Sequence, residues 1–251
     1  MSTTLYHGEP NGPSLTVLAT LFAKELPADL VRIDLARGER HLLACAQEPA
    51  VAMNIEGEGP VLVVDGEAMT DSVFLACYID DVGQGPALRP AEPYARWQTM
   101  SWCRHIIERT APAAAYLGCS AHPPNADRDL LQRMGSVDLR ARWEEIMAGQ
   151  FPEARLGDSR NKIAQAVEKI DKRLDGRQWL MDTFSIADIE SYAWLAGMVS
   201  LVPEAFGGRA RTTAWLERVR QQPAIERALS LSLAADPAAV WSVGPEINRW
   251  G

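Results

Sequence analysis

The stretch from Gly83 to Pro93 separates two parts of the sequence that have different patterns. It is rich in glycine and proline, and its apolar residues follow no regular spacing, as is typical of a connection between domains. Strand-like alternation occurs only before this stretch, and helical spacing dominates after it. For a chain of 251 residues we therefore predict two modest domains, at 1–82 and 94–251, joined by a linker at 83–93.

The first part begins with the pattern of a strand, a helix and a second strand. Thr4 to His7 form a short extended segment, and Asn11 to Ser14 break it before apolar residues recur at helical spacing. Apolar and charged residues then alternate from Val31 to Leu35. Since strands joined through a helix are usually parallel, this segment predicts a βαβ unit.

A tight hairpin and a helix complete the first part. Pro60 to Val64 predict a strand, and Asp65-Gly66 favours the positive φ angles of a two-residue turn. An antiparallel partner strand is expected at Glu67 to Thr70, and Asp71-Ser72 predicts the start of a helix. The element order is thus βαβ, a middle segment without a clear pattern, and ββα.

Only helices are predicted beyond the linker. Ser185 and Asp188 have the spacing of a capping box, in which side chains satisfy backbone donors at the start of a helix. We expect Asp188 to act as this cap rather than as a catalyst. Further helices are predicted from Pro93 to His105, across Ile163 to Leu174 and around Trp215, with a loop from Gly118 to Asp129.

Composition argues against several classes of partner. The net charge of −8, without any cluster of Lys or Arg, opposes binding to nucleic acid or to an anionic membrane surface. No apolar run approaches the roughly 18 residues of a membrane span, and no secretory signal pattern is present, so we expect a cytoplasmic protein. The four cysteines form neither a CxxC pair nor a zinc-ligand spacing, so no metal is expected.

The order of elements and three local motifs resemble the glutathione S-transferase family. Gly57 to Leu62 looks like the family's loop that ends in a cis-proline, and Asp65-Gly66 followed by Asp71-Ser72 looks like its hairpin and glutathione-binding acid–serine pair. Phe184 to Ile189 is similar to its buried capping motif. The resemblance spans nearly the whole chain. It implies an α/β plus all-α fold, with an N-terminal thioredoxin-like βαβ-ββα domain followed by an all-helical C-terminal domain.

Within that family, the segment from Leu5 to Leu21 looks most like the bacterial glutathione-dependent β-aryl etherases, which cleave lignin-derived ethers. This implies an enzyme that uses glutathione as cosubstrate, without a metal, to attack a hydrophobic aromatic electrophile. A detoxifying transferase or an isomerase is the alternative among enzymes. Pro13 and Gly59 depart from the family's pattern and leave open a non-catalytic subunit. The resemblance also implies a homodimer, or a heterodimer with a paralogue.

The implied chemistry needs a group that stabilises a sulfur anion, because a thiol with a pKa of about 8.5 is mostly protonated at neutral pH. Ser14 lies at the start of the first helix, where a hydroxyl donor and the helix dipole both favour negative charge. Its alternative role is a plain N-cap of that helix. Asn11 is the second candidate, since its amide can donate to sulfur, although its sequence context favours the alternative role in an Asn-Gly turn.

The resemblance implies that the remainder of the glutathione site comes from three further segments. The backbone of Gly59, exposed by a cis bond at Pro60, is expected to pair with the cysteinyl unit. Ser72 and the N–H groups after it are expected to bind the γ-glutamyl carboxylate, and Asp71 its ammonium. His41 is a candidate contact to the glycine carboxylate. The alternatives are an ordinary trans proline and simple helix capping.

Four aromatic side chains beyond the linker are candidates for the wall of an apolar acceptor pocket. These residues are Trp97, Trp102, Tyr116 and Trp143. Their alternative role is the packed core of the helical domain.

Overall fold

A computed structural model describes residues 2–34, 37, 39, 60–124, 128–133 and 137–235 of the chain. Two of the predicted site residues, His41 and Gly59, lie outside these ranges. All strands within the described ranges precede residue 70, and the elements that follow residue 92 are helical. The described strands therefore all precede the segment predicted as a linker, and the elements described after it are helices, as the sequence predicted.

Within the described residues, four strands form one mixed sheet in the order β2-β1-β3-β4. The strands are β1 (Thr3–His7), β2 (Asp29–Arg32), β3 (Val61–Val64) and β4 (Glu67–Met69). β1 is parallel to β2 and antiparallel to β3, and β3 pairs antiparallel with β4. This arrangement confirms the predicted βαβ unit and hairpin.

The second strand ends earlier than the alternation in the sequence predicted. Arg32, the last residue of β2, lies opposite His7, the last residue of β1. Ile33 makes one more backbone hydrogen bond to His7, at 2.8 Å, and its side chain is 2% exposed. The apolar alternation thus continues past the strand because it follows burial, whereas the strand stops where its partner stops.

The turn between β3 and β4 has the conformation that its sequence favours. Asp65 and Gly66 both have positive φ angles, 48° and 89°. Two consecutive residues with positive φ match the twist of the flanking strands in a two-residue hairpin. Asp65 also accepts a hydrogen bond from the backbone N–H of Ser2 at 2.8 Å, which ties the hairpin to the beginning of the chain.

Among the described residues, two helices belong to the sheet, and the other helices form the helical part. Helix α1 (Gly12–Ala23) connects β1 to β2, and α2 (Ser72–Val82) follows β4. A π-helical turn at Ile106–Thr110 separates α3 from α4. The helices after the linker are α3 (Pro93–His105), α4 (Ala111–Ala121), α5 (Arg128–Arg133), α6 (Val137–Met147), α7 (Glu153–Arg173), α8 (Ile186–Leu195), α9 (Met198–Leu201), α10 (Pro203–Phe206), α11 (Ala210–Arg220) and α12 (Pro223–Leu229).

The loop predicted from Gly118 to Asp129 is shorter in the structure. Helix α4 continues through Gly118 to Ala121, so the non-helical segment begins at His122. Gly118 and Cys119 are buried. Packing of this turn against other helices therefore outweighs the low helix propensity of glycine.

Helix α1 joins the two parts of the molecule. It packs against α2 in the first part and against α8 and α12 in the second. Every residue of α1 from Gly12 to Leu21 is buried. Buried apolar side chains of both parts, including Leu18 on α1 and Trp194 on α8, belong to one continuous core. The start of α1 is consequently held from both sides.

The segment predicted as a linker is bonded to the end of α1 in the first part. The buried Lys24 ammonium donates to the carbonyls of Gly85 and Pro86, at 2.7 and 3.1 Å, and lies 3.2 Å from the Asp80 carboxylate. Gly85 also has a steric role, because a Cβ there would lie 2.0 Å from a carbonyl oxygen of Ala23. Glycine is thus needed for the close approach of the linker to the end of α1.

The predicted capping box at the start of α8 is confirmed. Asp188 is fully buried and accepts from the N–H and the hydroxyl of Ser185, at 3.1 and 3.0 Å. Its other oxygen accepts from the N–H of Leu180 and the indole N–H of Trp215, both at 2.9 Å. Burial raises the pKa of Asp188 to about 6, and these donors oppose the rise. The cap therefore connects α8 to α11 and to the segment before α8.

We expect Asp188→Ala to lower the free energy of unfolding by about 3–5 kcal/mol, because four buried donors lose their acceptor. Denaturant unfolding followed by tryptophan fluorescence measures this loss. The matched control is Asp182→Ala, whose carboxylate is 91% exposed and whose removal should change stability by less than about 0.5 kcal/mol. Equal effects of the two substitutions would contradict the assigned role.

Candidate functional site

Ser14 lies in the first turn of α1, and its hydroxyl oxygen is held by the preceding loop. The backbone N–H of Gly8 donates to Ser14 Oγ at 2.9 Å. No described group accepts the hydroxyl proton of Ser14, so this proton remains available to a ligand. The side chain is 1% exposed, and a hydrogen bond in such surroundings is stronger than in water. Ser14 thus has the geometry of an oriented donor at a helix N-terminus.

The N-cap position of α1 is occupied by Asn11 and not by Ser14. Asn11 has extended backbone angles, φ −140° and ψ 166°, and its side chain makes no capping hydrogen bond. Ser14 is the third residue of the helix, so the alternative role considered for it, a plain N-cap, is wrong. Asn11 is also buried and lies in the same loop. The structure therefore brings both candidate thiol contacts to the junction of β1 and α1.

His7 joins this loop, although the sequence pattern did not single it out. Its Nδ1 lies 2.8 Å from the carbonyl oxygen of Gly8, and since that oxygen can only accept, Nδ1 carries a proton. Burial is the main cause that lowers the pKa of His7; the Gly8 bond opposes the change and the Arg32 charge adds to it. Thr3, Leu5 and His7 are the buried residues of β1. Because alternate residues of a strand point to the same face, this alternation in the sequence could have predicted that the His7 side chain points inward.

Asp71 and Ser72 lie at the start of α2, where the backbone is strained. Asp71 has a φ of 73°, a left-handed conformation that is costly for a residue other than glycine. Its Oδ1 accepts from the N–H groups of Val73 and Phe74, at 3.0 and 3.1 Å. These two donors, which were expected to bind a ligand carboxylate, are therefore already bonded. The N–H and the hydroxyl of Ser72 are the donors that remain at this helix end.

A buried carboxylate, that of Glu190 on α8, connects the two helix starts. It accepts from Thr16 of α1 at 2.7 Å and, with the same oxygen, from Ser72 of α2 at 3.4 Å. Its second oxygen accepts from the indole N–H of Trp194 at 2.7 Å. Since Thr16 is two residues from Ser14, the beginnings of α1 and α2 meet at this group. Sequence reasoning missed Glu190; the signal was a second acidic residue, beyond the capping Asp188, in a mostly apolar helix.

Burial is the largest influence on the Glu190 carboxyl group. The side chain is 0% exposed, and this burial raises the pKa of Glu190 to about 7. The hydrogen bonds from Thr16, Trp194 and Ser72 oppose the rise, and the nearby Asp71 charge adds to it. Glu190 therefore changes protonation near neutral pH.

Pro60 lies at the same end of the sheet as this loop. It is buried and directly precedes β3, whose first residue Val61 pairs with Tyr6 of β1. The antiparallel register thus brings Pro60 beside His7. The predicted contacts from Gly59 and His41 lie outside the described residues, and the cis bond at Pro60 stays a prediction.

The four aromatic candidates for an acceptor pocket do not form one wall. Trp97 is 60% exposed and stacks on Tyr94, whereas Trp143 is fully buried in a small cluster with Leu131 and Leu139. Trp102 is half-buried and donates to Ser191 at 3.0 Å. Tyr116 belongs to another cluster and meets Phe151 edge to face. Most of these rings therefore serve packing, since helical spacing alone does not tell which face meets a cleft.

The described residues contain no group of three or more His, Cys, Asp or Glu side chains placed to hold a metal ion. Across the same ranges, no helix combines the length and apolarity needed to cross a membrane.

Comparison with known proteins extends the resemblance to whole chains. Protein LigF of Sphingobium sp. strain SYK-6 is 26% identical over 255 residues, covering 94% of this chain and 96% of LigF. The crystal structure of the β-etherase LigF matches with a TM-score of 0.81 at 25% identity, over 92% of this chain and 100% of LigF. No family model matches the chain.

Plant glutathione transferases also match nearly the whole chain, at lower similarity. A glutathione S-transferase of Silene vulgaris is 23% identical over 242 residues, covering 91% of this chain and 98% of its own length. Glutathione transferase F7 of Populus trichocarpa shares the fold, with a TM-score of 0.69 at 21% identity over 91% of this chain and 98% of that structure. Together with the order of the site motifs, these matches show that the chain is similar over nearly its whole length to glutathione S-transferases and to the β-etherase LigF.

Proposed function

We propose that this chain, as a glutathione transferase, binds glutathione at the junction of β1, α1 and α2 and directs its thiolate at a hydrophobic aromatic electrophile. The observation that carries the proposal is the orientation of Ser14, whose oxygen accepts from Gly8 while its proton stays available. Residues 1–82 hold glutathione in this scheme, and residues 94–251 provide the acceptor site. The thiols of Cys103 and Cys119 are buried and free, which suits a reducing compartment such as the cytoplasm.

Ser14 stabilises the ionised sulfur in this proposal. A charge-assisted hydrogen bond from its hydroxyl and the positive end of the α1 dipole both favour the thiolate over the thiol. The N–H of Gly8 polarises the hydroxyl and makes it a better donor. Asn11, at the N-cap of the same helix, is the second group within the loop that can contact sulfur.

The start of α2 receives the γ-glutamyl end of glutathione. Its carboxylate binds the N–H and the hydroxyl of Ser72, at the positive end of the helix. Asp71 uses one oxygen for Val73 and Phe74, so the other oxygen is left to contact the ammonium. The backbone of Gly59 before Pro60, and His41, are proposed contacts to the cysteinyl unit and the glycine carboxylate.

The similarity to β-etherase LigF supports an aryl ether as the acceptor. The thiolate attacks the carbon that bears the aryloxy group beside a ketone. A carbon–sulfur bond forms, the carbon–oxygen bond breaks, and the aryloxy group leaves as a phenolate. Holding both reactants in one cleft replaces a bimolecular encounter and supplies much of the rate.

The position of Pro13 favours an active enzyme over a non-catalytic subunit. Pro13 is the second residue of α1, where a helix needs no backbone donor and the fixed φ of proline fits. Pro13 departs from the family's pattern, but it does not disturb the adjacent Ser14. The hydroxyl oxygen of Ser14 still accepts a hydrogen bond from the Gly8 N–H.

We expect the purified chain, supplied with glutathione and an α-keto β-aryl ether, to release the phenol and form the glutathione thioether. Liquid chromatography with mass spectrometry measures both products. A chloroarene activated by nitro groups serves as the comparison acceptor, and turnover of this compound alone would favour a detoxifying transferase. Absence of both products with the lone chain would favour the non-catalytic subunit.

Ser14→Ala should lower kcat/KM by about 10- to 100-fold, because one charge-assisted hydrogen bond to the thiolate contributes about 1.5–3 kcal/mol. Ultraviolet absorbance of the bound thiolate should titrate at higher pH in the variant. Ser120→Ala is the matched control, since that hydroxyl bonds only its own helix, to Leu117 at 2.8 Å. If kcat/KM were unchanged in Ser14→Ala, Asn11 rather than Ser14 would be the residue that stabilises the thiolate.

Exposed aromatic side chains support a homodimer. Phe74 on α2 is 69% exposed, and the stacked rings of Tyr94 and Trp97 on α3 are 63% and 60% exposed. The sulfur atoms of Cys77 and Met100 lie 3.7 Å apart, so these two helices meet at this point. Neighbouring exposed aromatic rings of this kind mark an interaction surface, which we assign to a second copy of the chain.

Light scattering coupled to size exclusion should therefore give twice the mass of the chain, and Phe74→Ser with Trp97→Ser should shift the protein toward the monomer. The control is Val137→Ser on α6, a residue that is 67% exposed and lies outside the aromatic surface. A monomeric wild type, or a variant that keeps the doubled mass, would contradict this assignment.

A further inference from the structure

Glu190 is a buried acid whose only hydrogen-bond partners in the described chain are neutral donors. These are the hydroxyls of Thr16 and Ser72 and the indole of Trp194. None of the described cations forms an ion pair with it. An unpaired buried carboxylate is costly, so small changes in its donors alter the balance between its charged and neutral forms.

The single proton of the Ser72 hydroxyl creates a conflict with ligand binding. In the structure this proton points to Glu190 Oε2, over a long distance of 3.4 Å. The neighbouring donors Val73 and Phe74 are taken by Asp71. A ligand carboxylate at this helix end has the Ser72 N–H, and for a second hydrogen bond it needs the Ser72 hydroxyl proton, which a charged Glu190 retains. Turning the proton outward would leave the Ser72 oxygen facing an anionic oxygen without a hydrogen between them.

We propose that Glu190 is a positioning residue of the glutathione site, which takes up one proton from solvent when the γ-glutamyl carboxylate binds and thereby turns the Ser72 hydroxyl toward the ligand. The protonated carboxyl group donates to Ser72 Oγ, and Ser72 donates to the ligand carboxylate. The proton count balances, because each Glu190 that is charged before binding takes up one solvent proton as the ligand carboxylate arrives. This inference rests on the proposed binding of glutathione at α2.

The surroundings of Glu190 permit this proton uptake near neutral pH. Burial raises the pKa of Glu190 to about 7, so the group is partly charged before the ligand arrives. Among the described ionisable groups, Asp71 on α2 and Cys103 on α3 interact with Glu190, and Asp188 precedes it by two positions on α8. Burial raises the pKa of the Cys103 thiol well above its usual range, so this thiol stays neutral. Asp188 is fully bonded to its own four donors and does not contact Ser72.

Titration calorimetry of the full chain with S-methylglutathione tests the inference, because this probe has no thiol proton to lose. The wild-type Kd should rise by about tenfold between pH 6 and pH 8, as one linked proton with a pKa near 7 requires. Measurements at pH 7.5 in buffers of different ionisation enthalpy should show net proton uptake on binding.

Glu190→Gln should bind the probe at pH 8 with nearly the wild-type affinity at pH 6, and without pH dependence. The amide can accept from Trp194 and donate toward Ser72, as the protonated acid does. Glu217→Gln on α11, an exposed position, is the matched control and should keep the wild-type pH dependence. A pH-dependent Kd in Glu190→Gln, or a flat wild-type profile, would overturn the role of Glu190.

Ser72→Ala provides a second arm if Glu190→Gln does not fold. Without the hydroxyl, the probe should bind more weakly at every pH, and the change in Kd between pH 6 and pH 8 should be lost. A slope retained in Ser72→Ala would also overturn the inference. Failure of the wild type to bind the probe at any pH would instead reject the proposed glutathione site, so the two failures are distinguishable.

Discussion

Helix α8 carries two buried carboxylates, and the groups that satisfy them come from almost every part of the structure around it. Asp188 binds the start of its own helix, the segment before it and Trp215 of α11. Glu190, half a turn later, binds the first turns of α1 and α2. A helix without exposed residues can hold two acids only if each oxygen finds donors. The positions of α1 and α2 are therefore coupled to the helical part through hydrogen bonds as well as through the shared core.

The elements that the sequence predicted well are those fixed by local chemistry. Asp65-Gly66 requires positive φ angles, and Ser185 with Asp188 satisfies donors within one helical turn, so neither depends on distant residues. Alternation was a weaker guide, because it records burial: Ile33 continues the inward pattern after β2 has ended. The loop predicted at Gly118 failed for a related reason, since packing keeps that glycine helical.

The candidate site was only partly visible in the sequence, because its geometry depends on contacts across long distances along the chain. Ser14, Asn11, Asp71 and Ser72 lie in turns with recognisable residues, and the structure brings each to a helix start. His7 and Glu190 carry no such local mark. Glu190 reaches Thr16 over 174 positions and Ser72 over 118, so no window of sequence joins them. The aromatic candidates failed for the same reason, since spacing predicts a helix face but not its neighbour.

The buried charge of Glu190 destabilises the fold, whereas the hydrogen bonds that Glu190 accepts stabilise it. An apolar side chain at position 190 would remove the buried charge, but Trp194 would lose its 2.7 Å bond to this carboxylate and Thr16 would keep only its longer bond to the Gly12 carbonyl, at 3.4 Å. A buried donor that loses its acceptor costs about 1–3 kcal/mol. A protonated acid avoids both penalties, because it accepts from Trp194 and donates to a hydroxyl. The neutral form therefore avoids the buried charge, and the charged form holds the Ser72 proton inward. Burial of Glu190 and availability of the Ser72 donor thus favour the same protonation state, whereas the hydrogen bonds from Thr16, Trp194 and Ser72 oppose it.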